Sequence, residues 1–306
     1  MKLGFITSIL ETYTYEQMMD FAAAEGFQCV EVASWPHGKG ERRYAGTCHV
    51  DAERVLEDDE YAEHLLAVSR EKGVEISSLA FYPNTLDADP EKRKANVDHL
   101  MAVIGASAKL GVGLVTTFIG RDQTKSVEDN LEIVKEVWPP ILEHAKALGV
   151  KVAIDNCPML FDNDQWPGGQ NLMTSPANWR KVFSVLPYDN LGINYDPSHF
   201  VWQQMDYIRP IYEFKDRIFH VHYKDIKVDK EALKDCGTMA YPLEYMEPKL
   251  PGLGDVNWGK YVSALTDIRY KGYTCIEIED RAFEDTEEDV LNSIRLAKKY
   301  LRNFVI

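Results

Sequence analysis

The feature that most constrains the fold is a repeated junction at which a helical stretch ends, a glycine follows, and a short apolar strand begins. The glycines at these junctions are Gly26, Gly73, Gly111, Gly149 and Gly272. Glycine suits the position because it can end a helix in the left-handed conformation without a Cβ clash. The recurrence indicates a chain built from alternating strands and helices.

Eight strands are predicted from the apolar, β-branched runs, and helical patterns separate most of them. Their approximate ranges are 2–7, 29–34, 75–82, 113–119, 150–156, 190–196, 217–223 and 273–279. This alternation in a chain of 306 residues predicts a (β/α)8 TIM barrel that forms one domain over residues 1–306. A doubly wound open sheet is the alternative, and it is disfavoured because no Gly-x-Gly-x-x-Gly motif follows any predicted strand.

Two connections, about 157–175 and 226–257, are longer than the others. Long loops at the active face of a barrel commonly act as lids or substrate walls, and an oligomer contact is an equal alternative here.

Charge and composition limit the partners and the compartment. The net charge of −15 argues against nucleic acid or an anionic membrane surface, because an acidic surface repels phosphate. No stretch approaches the roughly 20 apolar residues of a membrane span, and the first residues read as a strand rather than a signal peptide. The five scattered cysteines suggest no disulfide framework, and Cys29 and Cys275 read as buried thiols. A cytoplasmic protein is therefore expected.

Acidic and histidine side chains occur at the ends of the last four predicted strands. They are Asp155, Asp196, the pair His220 and His222, and the pair Glu277 and Glu279. Alternation along a strand puts the members of each pair on the same face, and a carboxylate inside a barrel is costly unless it is paired or metal-bound. Carboxylates with one imidazole suit Mn²⁺ or Mg²⁺, while Zn²⁺, Co²⁺ and Fe²⁺ stay possible. Any one of these residues alone is more often a capped or solvated strand-end residue than a ligand, and His220 alone also fits a hydrogen-bonded core histidine. The predicted metal site therefore depends on the whole set.

The chain resembles the sugar phosphate isomerase/epimerase family of xylose-isomerase-like TIM barrels over essentially its whole length. The resemblance is densest at 155–159 (DNCPM), 166–169 (WPGG), 196–199 (DPSH), 220–225 (HVHYKD), 250–254 (LPGLG) and 276–280 (IEIED). It implies that the metal ligands are Asp155, Asp196, His222 and Glu277. The family usually has glutamate where this chain has Asp155, and the shorter side chain would weaken metal binding or proton transfer unless the site adjusts or a water fills the gap.

The resemblance also implies a reaction. A divalent ion would polarise the carbonyl of a keto-sugar, and Asp155 and Glu277 would transfer a proton through a metal-bound enediolate. His199 resembles the substrate-binding histidine of the family, with helix or loop capping as its alternative role. Lys224 and Asp225 are candidate substrate contacts or a simple salt bridge.

Aromatic and amide side chains near predicted strand ends are further candidates for substrate binding. Trp35 and Trp166 would pack against a sugar ring, with a plain core role as the alternative. Asn84 would bind a hydroxyl or hold a turn.

The leading expectation is a metal-dependent isomerase or epimerase for a keto-sugar or related polyol derivative. The same proton removal beside a 3-keto group permits elimination, so a lyase acting on a 3-keto-glycoside or cyclic polyol is the alternative. A DNA-repair-type hydrolase is disfavoured by the acidic charge and the few strand-end histidines, whereas a non-catalytic sugar-binding subunit stays open because of Asp155. A homo-oligomer, dimer or tetramer, is expected from the resemblance.

Overall fold

Eight parallel strands close into a barrel in a computed structural model that describes residues 1–38, 45–160 and 168–305. The barrel strands are β1 (Lys2–Ile6), β2 (Cys29–Ala33), β3 (Glu75–Ala80), β4 (Leu114–Thr117), β5 (Lys151–Asp155), β6 (Leu191–Tyr195), β7 (Ile218–Tyr223) and β10 (Tyr273–Ile276). Outside the barrel, β8 (Asp225–Val228) pairs with β9 (Met246–Lys249) in a separate antiparallel sheet. Around the barrel the order is β1-β10-β7-β6-β5-β4-β3-β2. The predicted TIM barrel is confirmed, and the open sheet is excluded.

Helices alternate with these strands. They are α1 (Tyr15–Ala24), α2 (Ala52–Glu57), α3 (Asp59–Lys72), α4 (Pro90–Lys109), α5 (Val127–Ala147), α6 (Pro176–Val185), α7 (Ser198–Trp202), α8 (Arg209–Glu213), α9 (Lys230–Cys236), α10 (Trp258–Asp267) and α11 (Glu287–Leu301). In the part of the chain that the structure describes, none of them combines the length and apolarity needed to cross a bilayer.

Glycines end the helices at four of the five predicted junctions. Gly26, Gly73, Gly111 and Gly149 all have φ between 66° and 71°, in the left-handed region where a Cβ is unfavourable. The prediction for Gly272 is wrong, because Arg269, with φ of 58°, is the left-handed residue after α10.

The long connection after β7 is not an irregular loop throughout. It contains the β8–β9 pair and α9, and Asp225 ties it to the barrel. The buried Asp225 carboxylate accepts hydrogen bonds from the amides of Gly252 (2.9 Å) and Val256 (3.0 Å) and from the Trp258 indole (2.9 Å). These bonds fix the return of the chain into α10.

The barrel interior below its C-terminal mouth is polar rather than apolar. A set of fully buried side chains, which we call the polar layer, projects inward from β2, β3, β4, β6 and β7: Glu31, Ser77, Thr116, Asn194 and His220. His220 bonds with Asn194 Oδ1 at 3.0 Å and with Ser77 Oγ at 3.2 Å, which matches the core role considered for that histidine. Buried polar groups need partners to be tolerated, and these side chains supply them to one another.

Candidate active site

The four predicted ligands lie at the carboxyl ends of four neighbouring barrel strands. Asp155 ends β5, Asp196 follows β6, His222 lies in β7 and Glu277 follows β10. The first three are buried, and the side chain of Glu277 is 19% exposed. The cluster therefore lies at the face of the barrel where active sites of this fold are found, with Glu277 on its solvent side.

His222 brings two of the acids together. Its Nδ1 atom lies 3.0 Å from Asp155 Oδ2 and 3.1 Å from Glu277 Oε2. Burial alone would lower the pKa of His222, but the carboxylates of Glu31, Asp155 and Glu277 outweigh it and raise the pKa well above its ordinary value. One ligand atom each from Asp155, His222 and Glu277 lies within 4.8 Å of the other two, which is close enough for the three residues to share one cation.

Asp196 joins the cluster through a second group, which contains Asp155, Asp196 and His199, also with ligand atoms within 4.8 Å. Asp196 Oδ2 and His199 Nε2 are buried and lie 3.2 Å apart, which is the distance of an ion pair, but neither atom forms a well-aligned hydrogen bond within the described ranges. Buried polar atoms that the protein leaves without a hydrogen bond are suited to bind an ion or a water. Because Asp155 belongs to both groups, the donor set fits a divalent cation.

Local turns leave one oxygen of each aspartate facing the cluster. Asp155 Oδ1 accepts from the amide of Cys157 at 2.6 Å, and Asp196 Oδ1 accepts from the amide of Ser198 at 2.8 Å. The side chain of Asn156 bonds both the amide and the carbonyl of Asp196, at 2.8 and 2.9 Å. The two Oδ2 atoms are thus held in place by the backbone of the strand ends.

The two proposed proton-transfer acids have pKa values displaced in opposite directions. Burial raises the pKa of Asp155, and the opposing effect of His222 does not cancel it. Burial would also raise the pKa of Glu277, but Lys224 and His222 outweigh it and hold the pKa well below its usual range. Two carboxyl groups with such different environments can divide acid and base roles.

Lys224 is a buried cation between two acids. Its side chain is 3% exposed, and Nζ lies 3.0 Å from Glu277 Oε1 and 2.6 Å from Glu279 Oε2. Burial alone would lower the pKa of Lys224, but the two carboxylates outweigh it and raise the pKa well above its ordinary value. The suggested pairing of Lys224 with Asp225 is wrong, because Asp225 points to the opposite side and holds the chain entering α10.

The predicted substrate-binding residues have different surroundings. Trp35 is half-buried, and its ring lies 5.8 Å from that of Tyr82, which itself lies 6.5 Å from the His222 ring. Asn84 holds a turn, since Oδ1 accepts from the amides of Leu86 (3.1 Å) and Arg121 (2.8 Å). Trp166 lies outside the described residues.

Sequence reasoning missed Glu31, which lies under the cluster. This fully buried acid places Oε2 2.7 Å from His222 Nε2, while Oε1 accepts hydrogen bonds from Tyr82 and Thr116. Burial alone would raise the pKa of Glu31, but the charges of His222 and His220 and the hydrogen bonds from His222 and Tyr82 lower the pKa to about 2. The available signal was a single acid within the apolar strand Cys29–Ala33.

Comparisons with known proteins identify the family and the fold of the chain. The sequence model of the xylose isomerase-like TIM barrel family matches residues 19–300. Inosose dehydratase from Clostridium perfringens (strain ATCC 13124) is 21% identical over 238 residues, which cover 76% of this chain and 77% of that enzyme. D-psicose 3-epimerase from Clostridium cellulolyticum H10, solved with D-tagatose, superposes with a TM-score of 0.70 at 17% identity over 100% of this chain and 99% of its own. The IOLI protein with a bound zinc atom superposes with a TM-score of 0.72 at 16% identity over 100% of both chains.

Proposed function

Because the chain belongs to the xylose isomerase-like TIM barrel family, we propose that it is a divalent-metal-dependent isomerase or epimerase acting on a keto-sugar or related polyol derivative. The observation that carries the proposal is the contact of His222 Nδ1 with both Asp155 and Glu277, beside the unsatisfied Oδ2 of Asp196. These groups supply a metal-binding donor set and two proton-transfer acids at one place.

Asp155, Asp196, His222 and Glu277 would hold the ion, and their oxygen-rich set suits Mn²⁺, with Mg²⁺, Co²⁺ or Zn²⁺ as alternatives. The zinc-bound IOLI structure is consistent with a divalent ion in this fold. When bound, the ion would supply Lewis acidity that makes the carbon next to a substrate carbonyl easier to deprotonate. The turn at Cys157 lets the short Asp155 still reach His222, so a glutamate is not needed for that contact.

The residues of the chain then divide the proton transfers. Glu277, kept ionised by Lys224 and His222, accepts the proton from the carbon, and Asp155 returns a proton to it. Lys224 orients Glu277 through the bond to Oε1. His199, whose Nε2 lies 3.2 Å from Asp196 Oδ2 without a well-aligned hydrogen bond, donates to a substrate hydroxyl, and Trp35 and Trp166 pack against the sugar ring.

A lyase is the second candidate, and the similarity to an inosose dehydratase favours it. The first step is the same removal of a proton beside a carbonyl. The reaction then diverges because the hydroxyl or glycosidic oxygen on the next carbon leaves, rather than a proton returning. The two reactions therefore share the base and differ in the product.

The test is a screen of keto-sugars, 3-keto-glycosides and cyclic polyol ketones in deuterated water, with the protein reconstituted with Mn²⁺. Deuterium entering one carbon of recovered substrate together with an isomeric product supports the isomerase or epimerase. An unsaturated or cleaved product supports the lyase. Saturable sugar binding without exchange or product would identify a non-catalytic sugar-binding protein and contradict both enzymes.

Two matched variants then test the role of Glu277. Glu277→Gln should slow deuterium exchange by at least about 10²-fold, because it removes the base. Glu279→Gln removes the other acid that contacts Lys224, and it should retain most of the exchange. Equal exchange in Glu277→Gln and the unmodified protein would show that another group moves the proton.

We also propose that residues 1–306 form one barrel domain and that the protein is a cytoplasmic homo-oligomer, a dimer or a tetramer. Its binding partner would be a small sugar substrate. Light scattering of the purified protein tests the assembly, and a monomer at all concentrations would contradict it.

A further inference from the structure

We infer that Glu31 is a positioning residue that orients His222 for metal binding. By accepting a hydrogen bond from Nε2, it would leave Nδ1 as the ligand atom that faces Asp155 and Glu277. The inference rests on the proposed function, because it takes His222 to be a metal ligand. It adds a residue that lies outside the four-ligand set and that comes from a strand three positions away from β7 around the barrel.

The contact crosses the barrel interior. Strands β2 and β7 are not neighbours in the sheet, yet Glu31 Oε2 lies 2.7 Å from His222 Nε2. The other carboxylate oxygen is fixed by the Tyr82 hydroxyl and by Thr116 Oγ1, the latter at 2.8 Å. Glu31 is fully buried and its Oε1 atom is held by two hydroxyl groups, so Oε2 has little freedom to move away from the imidazole.

The chemistry of imidazole gives this contact a consequence for the metal site. A neutral histidine carries one N–H, and the nitrogen without the hydrogen is the one that can bind a metal. An ionised carboxylate only accepts hydrogen bonds, and carboxylates face both ring nitrogens of His222. Asp155 and Glu277 would bind the same ion as Nδ1, so the ion would take the place of the hydrogen there. Glu31 would not bind the ion, so it would keep the hydrogen on Nε2. Glu31 therefore selects the form of His222 in which the Nδ1 lone pair points to the two acids, as carboxylates behind metal-bound histidines do.

The first experiment compares Glu31→Gln with a matched control, Thr116→Val. Glu31→Gln keeps the shape and removes the charge, and it should weaken Mn²⁺ binding by about 10–100-fold. Thr116→Val removes one of the two hydrogen bonds to Glu31 Oε1, and it leaves the Tyr82 bond, the charge of Glu31 and the contact with His222 Nε2 in place. Its Mn²⁺ dissociation constant should therefore stay within about threefold of that of the unmodified protein. Mn²⁺ affinity is measured by competition with a chelator, and near-ultraviolet circular dichroism checks that both variants are folded.

The absorption spectrum of bound Co²⁺ distinguishes a change in the orientation of His222 from a general weakening of the fold. The visible absorption of the Co²⁺-loaded protein depends on the ligand geometry, so Glu31→Gln should change the band positions and Thr116→Val should not. Glu31→Gln with the affinity and Co²⁺ spectrum of the unmodified protein would overturn the inference, while the proposed function would stand.

The second experiment needs no variant at position 31, so it decides the matter even if Glu31→Gln does not fold. In Zn²⁺-loaded protein labelled with ¹⁵N-histidine, the His222 signals, assigned by comparison with His222→Asn, should show a protonated Nε2 and a metal-shifted Nδ1. A metal-shifted Nε2 would overturn the inference. Failure of the unmodified protein to bind Mn²⁺, Co²⁺ or Zn²⁺ would overturn the metal-dependent function and the inference together.

Discussion

Replacing Lys224 with methionine tests the electrostatics of the cluster. The substitution keeps an unbranched side chain but removes the only charge within bonding distance of both Glu277 Oε1 (3.0 Å) and Glu279 Oε2 (2.6 Å) among the described residues. Removing one partner of a buried ion pair typically costs about 3–5 kcal/mol. The two acids retain 19% and 33% exposure, so water partly solvates them, and we expect Lys224→Met to lower the free energy of unfolding by about 2–4 kcal/mol.

The same variant reports on the metal. If Glu277 holds a bound ion, that ion supplies the positive charge that Lys224→Met removes. Saturating Mn²⁺ should therefore reduce the cost of the substitution to roughly half. Urea unfolding with excess Mn²⁺ and with a chelator gives the two values.

Lys249→Met is the control. Lys249 also contacts two acids, Glu247 at 2.9 Å and Asp280 at 3.4 Å, but neither belongs to the cluster. Its substitution should cost the same with and without Mn²⁺. A Lys224→Met cost that is equally insensitive to Mn²⁺ would refute the placement of Glu277 at the metal.

Two further substitutions test stability away from the metal. Burial lowers the pKa of His49 from 6.5 to about 4, so its stabilising contribution is fully present above pH 6.5 and is lost toward pH 4 at about 1.4 kcal/mol per unit. His49→Gln should remove that slope from urea unfolding measured across this range, exposed His37→Gln should not, and an unchanged slope in His49→Gln would refute the assignment. Asp225→Asn replaces an acceptor of three bonds from the loop and α10 with a group that can accept at only one oxygen, so the free energy of unfolding should fall by about 2–4 kcal/mol. A loss below about 0.5 kcal/mol would show that these bonds contribute little.

The barrel and the cluster of candidate metal ligands were readable from the sequence because both depend on local patterns. Glycine junctions and apolar runs locate each strand to within a few residues, and Asp155, Asp196 and Glu277 stand directly at strand ends. In a parallel barrel all strands point the same way, so residues at their carboxyl ends must meet at one face. The topology alone therefore predicts that these three acids lie close together, and no knowledge of side-chain packing is needed.

Other features were hidden because they depend on contacts across the barrel or on the direction of single side chains. Glu31 meets His222 only when β2 and β7 face each other across a closed interior. Asp225 looked like a partner of its neighbour Lys224, but adjacent strand residues point to opposite sides. The β8–β9 pair was missed because β8 directly continues the β7 pattern and β9 contains a proline.

The polar layer limits how such a barrel could acquire a new substrate. An apolar core accepts many exchanges of similar volume, whereas donors and acceptors that complete one another must change together or leave a buried group unpaired. Exchanging Asn194 alone, for example, would withdraw the partner of His220 Nδ1. New specificity is therefore easier to obtain by rebuilding the loops above the barrel mouth, while the polar layer beneath them stays unchanged.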